Sequence, residues 1–332
     1  MTTKTSLPII DISPFLSATS TAQDRQTCAF ALSHACQNIG FFYLIGHSIP
    51  PSTTSSILSL SRQFFLESSD SAKSAISRRS AGHGHGDGAR GYQKLGENIT
   101  QGKGDWHEAL DFYREEENNT KEGPPYKLLN GRNLYPQEPK GFETATKSYI
   151  EDMKRVGTAV VKAMGVALDL GSEDETDVFV NATRDSFWVM RMIGYPPLPK
   201  PDGEMNEDAQ SCGTHTDYGC VTLLLADATK GALQVRAKDG SWIDADPLPG
   251  AFVVNIGDMI ERWTNGLWRS TPHRVVHRGD GYRVSVPFFF EPDWEAVVEP
   301  LEKCVMRTGG ERKFGRVKYG DHLTKKVEGN FY

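Results

Sequence analysis

Apolar positions follow a helical period in the first half of the chain and a strand period in the second. Between residues 21 and 38, Phe30, Leu32, Ala35, Cys36 and Ile39 recur at helical spacing, and Gly40 closes the helix. Residues 7–12 and 41–45 read as short strands. Pro51 suits the first turn of a second helix reaching about residue 67, with Ile57, Leu60, Phe64 and Phe65 turned inward. The longest helical pattern covers residues 142–170, with Tyr149, Met153, Val156, Val160, Met164 and Leu168 on one stripe. Residues 79–140 are rich in Gly and Pro and read mostly as loops with short strands. After Ser186 the period shortens. Residues 187–193, 220–226, 232–235, 251–256, 274–277 and 283–289 are β-branched and aromatic runs separated by turn signals. Helices followed by many short strands predict a mainly β fold, a barrel or jelly roll buttressed by helices. Residues 1–185 are read as an N-terminal helical and mixed region on a β core of residues 186–332, the two forming one structural unit.

Composition narrows the class without naming it. The chain has 332 residues, 38% hydrophobic and 24% charged, so it is apolar enough to fold. Lys and Arg number 37 against 43 Asp and Glu, a net charge of −6 that offers no global grip on nucleic acid. No apolar run approaches the length of a membrane span, and the start lacks the pattern of a secretory signal. Five cysteines, odd in number and without C-x-x-C spacing, read as reduced thiols. A cytoplasmic protein with a small-molecule substrate, no nucleic acid, no membrane and no obligate protein partner is expected.

One motif is a decoy. Residues 86–91 match G-x-G-x-x-G, but a polar tract precedes them where a dinucleotide fold needs a strand. Nearby His83 and His85 read as part of a polar loop whose glycines would permit closure over a site. The strong signal is Gly213-Thr214-His215-Thr216-Asp217. His215 and Asp217 are two apart, hence on one face of an extended segment, and His273 follows much later. Two imidazoles and one carboxylate make the facial set of non-haem iron oxygenases, though H-x-D alone also suits a hydrogen bond near a turn. Arg283 and Ser285 share one face of the last long alternating run with Pro287 and Phe289. An inward arginine there requires an anion: either a bound carboxylate or an internal acid.

Taken together, His215-x-Asp217, distant His273 and Arg283-x-Ser285 resemble the 2-oxoglutarate/Fe(II)-dependent dioxygenases of the isopenicillin N synthase-like branch. Leu7-Pro8-Ile9-Ile10-Asp11, Gly40-Phe41-Phe42-Tyr43, Asp105-Trp106-His107-Glu108, Tyr195-Pro196-Pro197 and Asn255-Ile256-Gly257-Asp258 match in order, so the likeness covers nearly the whole chain. It implies a distorted double-stranded β-helix (jelly roll), with Fe(II) held by His215, Asp217 and His273. It further implies 2-oxoglutarate bound by Arg283, Ser285 and Tyr195, with O2 as oxidant and ascorbate in support. The implied reaction oxidises a C–H bond while 2-oxoglutarate becomes succinate and CO2. An oxidase independent of 2-oxoglutarate shares the same ligands and stands as an alternative.

For the substrate, Arg191, Tyr218, Phe289 and Trp294 are the candidate contacts. A guanidinium among aromatic rings suits a flat polar ring. His-Thr-Asp-Tyr-Gly and Phe-Phe-Glu-Pro-Asp-Trp resemble fungal and microbial, thymine 7-hydroxylase-like members, which favours a pyrimidine-like base. A polyketide, terpenoid or alkaloid tailoring substrate is the alternative. Plant flavonoid and hormone hydroxylases often have Asn two residues before the tyrosine, where Ile193 stands here.

Overall fold

The computed structural model describes residues 7–78, 89–115, 129, 131–170, 176–199 and 210–331. In chain order come β1 (Ile9–Asp11), α1 (Ser13–Leu16), α2 (Ala22–Asn38), β2 (Phe41–Ile45), α3 (Pro51–Glu67) and α4 (Asp70–Ala75). Then follow β3 (Gly91–Gln93), β4 (Ile99–Thr100), β5 (Lys103–Gly104), β6 (Glu108–Tyr113) and α5 (Phe142–Leu168). The second half holds β7 (Val189–Tyr195), β8 (Cys212–His215), β9 (Val221–Ala226), β10 (Leu233–Arg236), β11 (Trp242–Asp244) and β12 (Phe252–Ile256). It continues with β13 (His273–Val275) and β14 (Arg283–Phe290), and a helix at Tyr319–Phe331 lies at the end.

Two sheets result. The major sheet has eight strands in the order β1-β2-β12-β9-β14-β7-β6-β3, and the minor sheet has four, β11-β10-β13-β8. Strands β2, β7 and β12 of the major sheet divide their side chains between two apolar clusters. Phe42, Leu44, Met190, Met192, Leu223, Val254, Val286, Phe288 and Phe290 join the large cluster with α2, α3 and α5. Their alternates, Phe41, Tyr43, Ile193, Tyr195 and Val253, join Leu233, Val235 and Val275 of the minor sheet in the other. A strand period of two thus separates a helix-covered face from a face between the sheets. This is the expected jelly roll with helices on one side.

Helix α2 starts where Thr21 and Asp24 cap each other reciprocally. It buries Cys28, Ala29, Leu32, Ala35 and Cys36, whereas Phe30, counted on the inward stripe from spacing, is 74% exposed. Within residues 79–140, read as loops with short strands, β3 to β6 are such strands, and β6 pairs with β7 over six positions inside the major sheet. Its sequence, Glu-Ala-Leu-Asp-Phe-Tyr, places Asp111 on the inner face, and that charge hides the strand pattern. Residues 79–88, which hold His83, His85 and the start of the G-x-G-x-x-G match, lie outside the described residues. So do residues 200–209 of the acidic loop. No helix among the described residues is long and apolar enough to cross a membrane.

Gly157 of α5 lies against the Phe290 ring of β14, where an added Cβ would sit 2.6 Å from the nearest ring carbon. Gly157→Ala improves helix propensity, yet the overpacking dominates, so a net loss of about 1–2 kcal/mol is expected in denaturant unfolding. Unchanged or raised stability would show that the contact between α5 and β14 yields freely.

Candidate metal centre and substrate cavity

The minor sheet builds the centre of the site. In the antiparallel pairing of β13 with β8, His273 stands opposite His215, and the ring centroids are 4.3 Å apart. The register shifts just beyond, between His273 and Val275, so a bulge lies beside the pair. Asp217 follows the end of β8. Its Oδ1 is 3.8 Å from His215 Nε2 and 3.7 Å from His273 Nε2.

The outer contacts orient these three groups toward one point. His215 Nδ1 lies 2.8 Å from the Gly213 carbonyl and His273 Nδ1 lies 3.1 Å from the Thr271 carbonyl. A carbonyl only accepts, so each ring donates from Nδ1 and keeps the Nε2 lone pair for a ligand. Asp217 Oδ2 accepts from Asn255 Nδ2 at 2.6 Å and from the Thr222 hydroxyl, leaving Oδ1 toward the imidazoles. Burial acts to raise the Asp217 pKa, but His273, His215 and these two donors hold it below the ordinary carboxylate range. Two imidazole nitrogens and one carboxylate oxygen fit a divalent iron with positions left for other ligands.

Arg283 is buried on the inner face of β14. Its guanidinium lies 4.7 Å from the Tyr195 ring, directly across the β14–β7 pairing, and its Nη1 donates to Ser285 Oγ at 3.4 Å. No carboxylate among the described residues pairs with it, and its Nε has no hydrogen-bond partner. The internal-acid alternative therefore finds no support among the described residues, and the donor set fits a planar carboxylate.

A cavity of about 590 Å³ opens at the other side of the triad, walled by His215 and Asp217. Arg191, Tyr218 and Phe289, three of the four candidate substrate contacts, line it. Arg191 is already engaged: Nε donates to Asp111 at 2.7 Å and Nη2 to Asn98 at 3.0 Å. Trp294 is not in the wall. It is buried, packed on Phe187 with centroids 3.7 Å apart, and so belongs to the core behind the site. Spacing alone could not separate a rim tryptophan from a packed one. Arg283, Ser285 and Tyr195 also stand apart from this cavity, and Arg283 borders a small one of about 10 Å³ beside Leu224, Leu233 and Val253.

Comparisons with known proteins agree with this geometry. Residues 7–138 match the family model of the N-terminal region of non-haem dioxygenases in morphine synthesis, and residues 180–292 match the 2OG-Fe(II) oxygenase superfamily. Homoarginine-6-hydroxylase 2-ODD-233 of Oryza sativa subsp. japonica is 41% identical, over 98% of this chain and 97% of its own. The chain belongs to the 2OG-Fe(II) oxygenase superfamily. A Glycine max homoarginine-6-hydroxylase is also 41% identical, over 98% of this chain and 97% of its own. Among solved structures, a full-length Neurospora crassa protein in complex with alpha-KG and thymine superposes with a TM-score of 0.81. It is 26% identical, covering 97% of this chain and 96% of that one.

This 2OG-Fe(II) oxygenase is therefore an oxidoreductase whose family uses Fe(II), 2-oxoglutarate and O2 on small molecules. Several cavity residues escaped the sequence reading. Asp111 shows only once β6 is recognised. Asp105 and His107 were visible only as part of an ordered family match. Glu291 resembles any acid after a strand, yet it is buried, and its Oε2 accepts from the Cys220 amide at 2.9 Å.

Asp217→Ala should remove most Fe(II) affinity in equilibrium dialysis, because two imidazoles remain without the anionic ligand. Asn255→Ala, which loosens the carboxylate without touching the ligand set, should weaken Fe(II) about 10–100-fold. Parent-like affinity in Asp217→Ala would exclude this triad as the iron site.

Proposed function

We propose that this oxygenase hydroxylates a small amino acid with a cationic side chain, of the homoarginine class. In this reading His215, Asp217 and His273 hold Fe(II), which with O2 and 2-oxoglutarate supplies the oxidising chemistry at a C–H bond. Arg283 and Ser285 take the distal carboxylate of 2-oxoglutarate, and the Tyr195 ring holds the guanidinium in place. Conversion of the co-substrate to succinate and CO2 accompanies oxidation of the substrate. The apolar portions of Val189, Phe289, Ile99 and Leu323 shield the substrate chain from water.

The observation that carries the substrate class is Glu291. It is a buried carboxyl group in the cavity wall, and no cation among the described residues forms an ion pair with it. Burial pushes it up to about 8. A substrate guanidinium placed there replaces a costly proton with a charge-assisted hydrogen bond. Arg191, fixed by Asp111 and Asn98 in the same cavity wall, keeps further guanidinium N–H donors for the amino acid's carboxylate. Relatives named homoarginine-6-hydroxylases support the same choice at 41% identity, against 26% for the thymine complex. We also place the protein in a reducing compartment such as the cytoplasm, a reading supported by cysteines that are all free.

Succinate release with Fe(II), ascorbate and 2-oxoglutarate, measured across L-homoarginine, L-arginine, L-lysine, thymine and uracil, tests this reading. Stoichiometric succinate and a product one oxygen heavier are expected with a cationic amino acid. The same result with thymine alone would return the substrate to the pyrimidines. Because Glu291 is protonated below about pH 8, the KM for a guanidinium substrate should fall as pH rises from 7 toward 9. Glu291→Gln should remove that dependence and raise KM roughly tenfold or more, with a smaller change in kcat. A parent-like KM in Glu291→Gln would separate Glu291 from substrate binding.

A further inference from the structure

A second cluster of metal-ligating groups lies in the cavity wall beside the iron triad. Asp105 and His107, just before β6, meet Cys212 at the start of β8, and their ligand atoms all lie within 4.8 Å of one another. None of the three is among the residues that the family resemblance places on iron or 2-oxoglutarate. All three line the cavity, and Cys212 is the partly exposed member of the cluster.

The cluster is held in shape from outside. His107 Nδ1 donates to the Ser211 carbonyl at 2.8 Å, which leaves Nε2 as a lone pair. That Nε2 is buried without a hydrogen-bond partner in a side chain only 1% exposed. Asp105 accepts from the Gly213 amide at 2.9 Å and the Thr100 hydroxyl at 2.7 Å, so both oxygens are fixed yet retain acceptor capacity. Cys212 is partly exposed, and its Sγ lies 3.8 Å from His215 Nδ1.

We propose that Asp105, His107 and Cys212 form a second, inhibitory site for a thiophilic divalent cation such as Zn2+ or Cd2+. One sulfur, one imidazole nitrogen and one carboxylate oxygen suit such an ion better than a hard cation, with a fourth position facing the cavity. On binding, the Cys212 thiol gives its proton to the buffer and the sulfur bonds the metal. An ion held there narrows the cavity next to His215 and Arg191, so added Fe(II) does not relieve the inhibition. The proposal is independent of which substrate the cavity takes.

Cadmium titration of the Asp217→Ala protein isolates this site from the triad. One Cd2+ per chain should bind, with the ultraviolet thiolate-to-cadmium absorption and release of a proton. The other four cysteines are buried, so Cys212→Ser added to Asp217→Ala should abolish the absorption. In the unsubstituted protein, Cd2+ but not Mg2+ should protect Cys212 from alkylation by iodoacetamide, read by peptide mass spectrometry. That second measurement stands even where a variant fails to fold. Absorption that persists without Cys212, no cadmium bound by Asp217→Ala, or alkylation of Cys212 unaffected by Cd2+ would each overturn the proposal.

Discussion

Everything at the site depends on the register of one short strand pair. His273 and His215 are distant in sequence, and only the β13–β8 pairing sets them opposite each other. A slip of one residue would turn one imidazole to the other face of the minor sheet and dissolve the pair. Asp217 adds a constraint of a different kind. It follows a minor-sheet strand, but its carboxylate is anchored by Thr222 of β9 and Asn255 of β12, both in the major sheet. The three ligand atoms therefore sit at the seam between the sheets. Major-sheet residues aim the carboxylate at imidazoles carried by the minor sheet.

The inner face also carries charges that an apolar interior ordinarily rejects. Asp111 on β6 and Arg191 on β7 stand opposite each other and neutralise one another, so that pair is internally balanced. Arg283 and Glu291 are not. Each is buried, and neither has an ion-pair partner among the described residues. An unpaired buried guanidinium costs several kcal/mol unless a ligand completes it, and Glu291 escapes the same cost near neutral pH only by holding a proton. The proposed function gives each a counterpart: the co-substrate carboxylate for Arg283 and the substrate cation for Glu291. Folding stability is thereby exchanged for selective binding at two separate points.

Much of the fold was legible because alternation and helical spacing are local properties of the chain. Arg283, Ser285 and Phe289 share the inner face, and Val286 and Phe288 share the helix-covered one, as a period of two requires. The pattern failed where function places charge inside. Asp111 interrupts the apolar alternation of β6, so the place of that short strand inside the major sheet is not legible from the sequence. Trp294 shows the opposite limit, since nothing local distinguishes an aromatic at a cavity rim from one stacked on Phe187. Glu291 was invisible for a third reason. Its significance is the absence of a nearby cation, a property of three-dimensional surroundings that no spacing records.

The most direct measurement is anaerobic calorimetry of 2-oxoglutarate binding to the Fe(II)-loaded protein, with the parent compared with Arg283→Ala. One co-substrate per chain is expected in the parent, dependent on iron. Loss of the buried guanidinium should weaken binding by about 3 kcal/mol, more than a hundredfold. Equal affinity in the two proteins, or equal affinity with and without Fe(II), would contradict an account in which triad and buried arginine hold opposite ends of the same molecule.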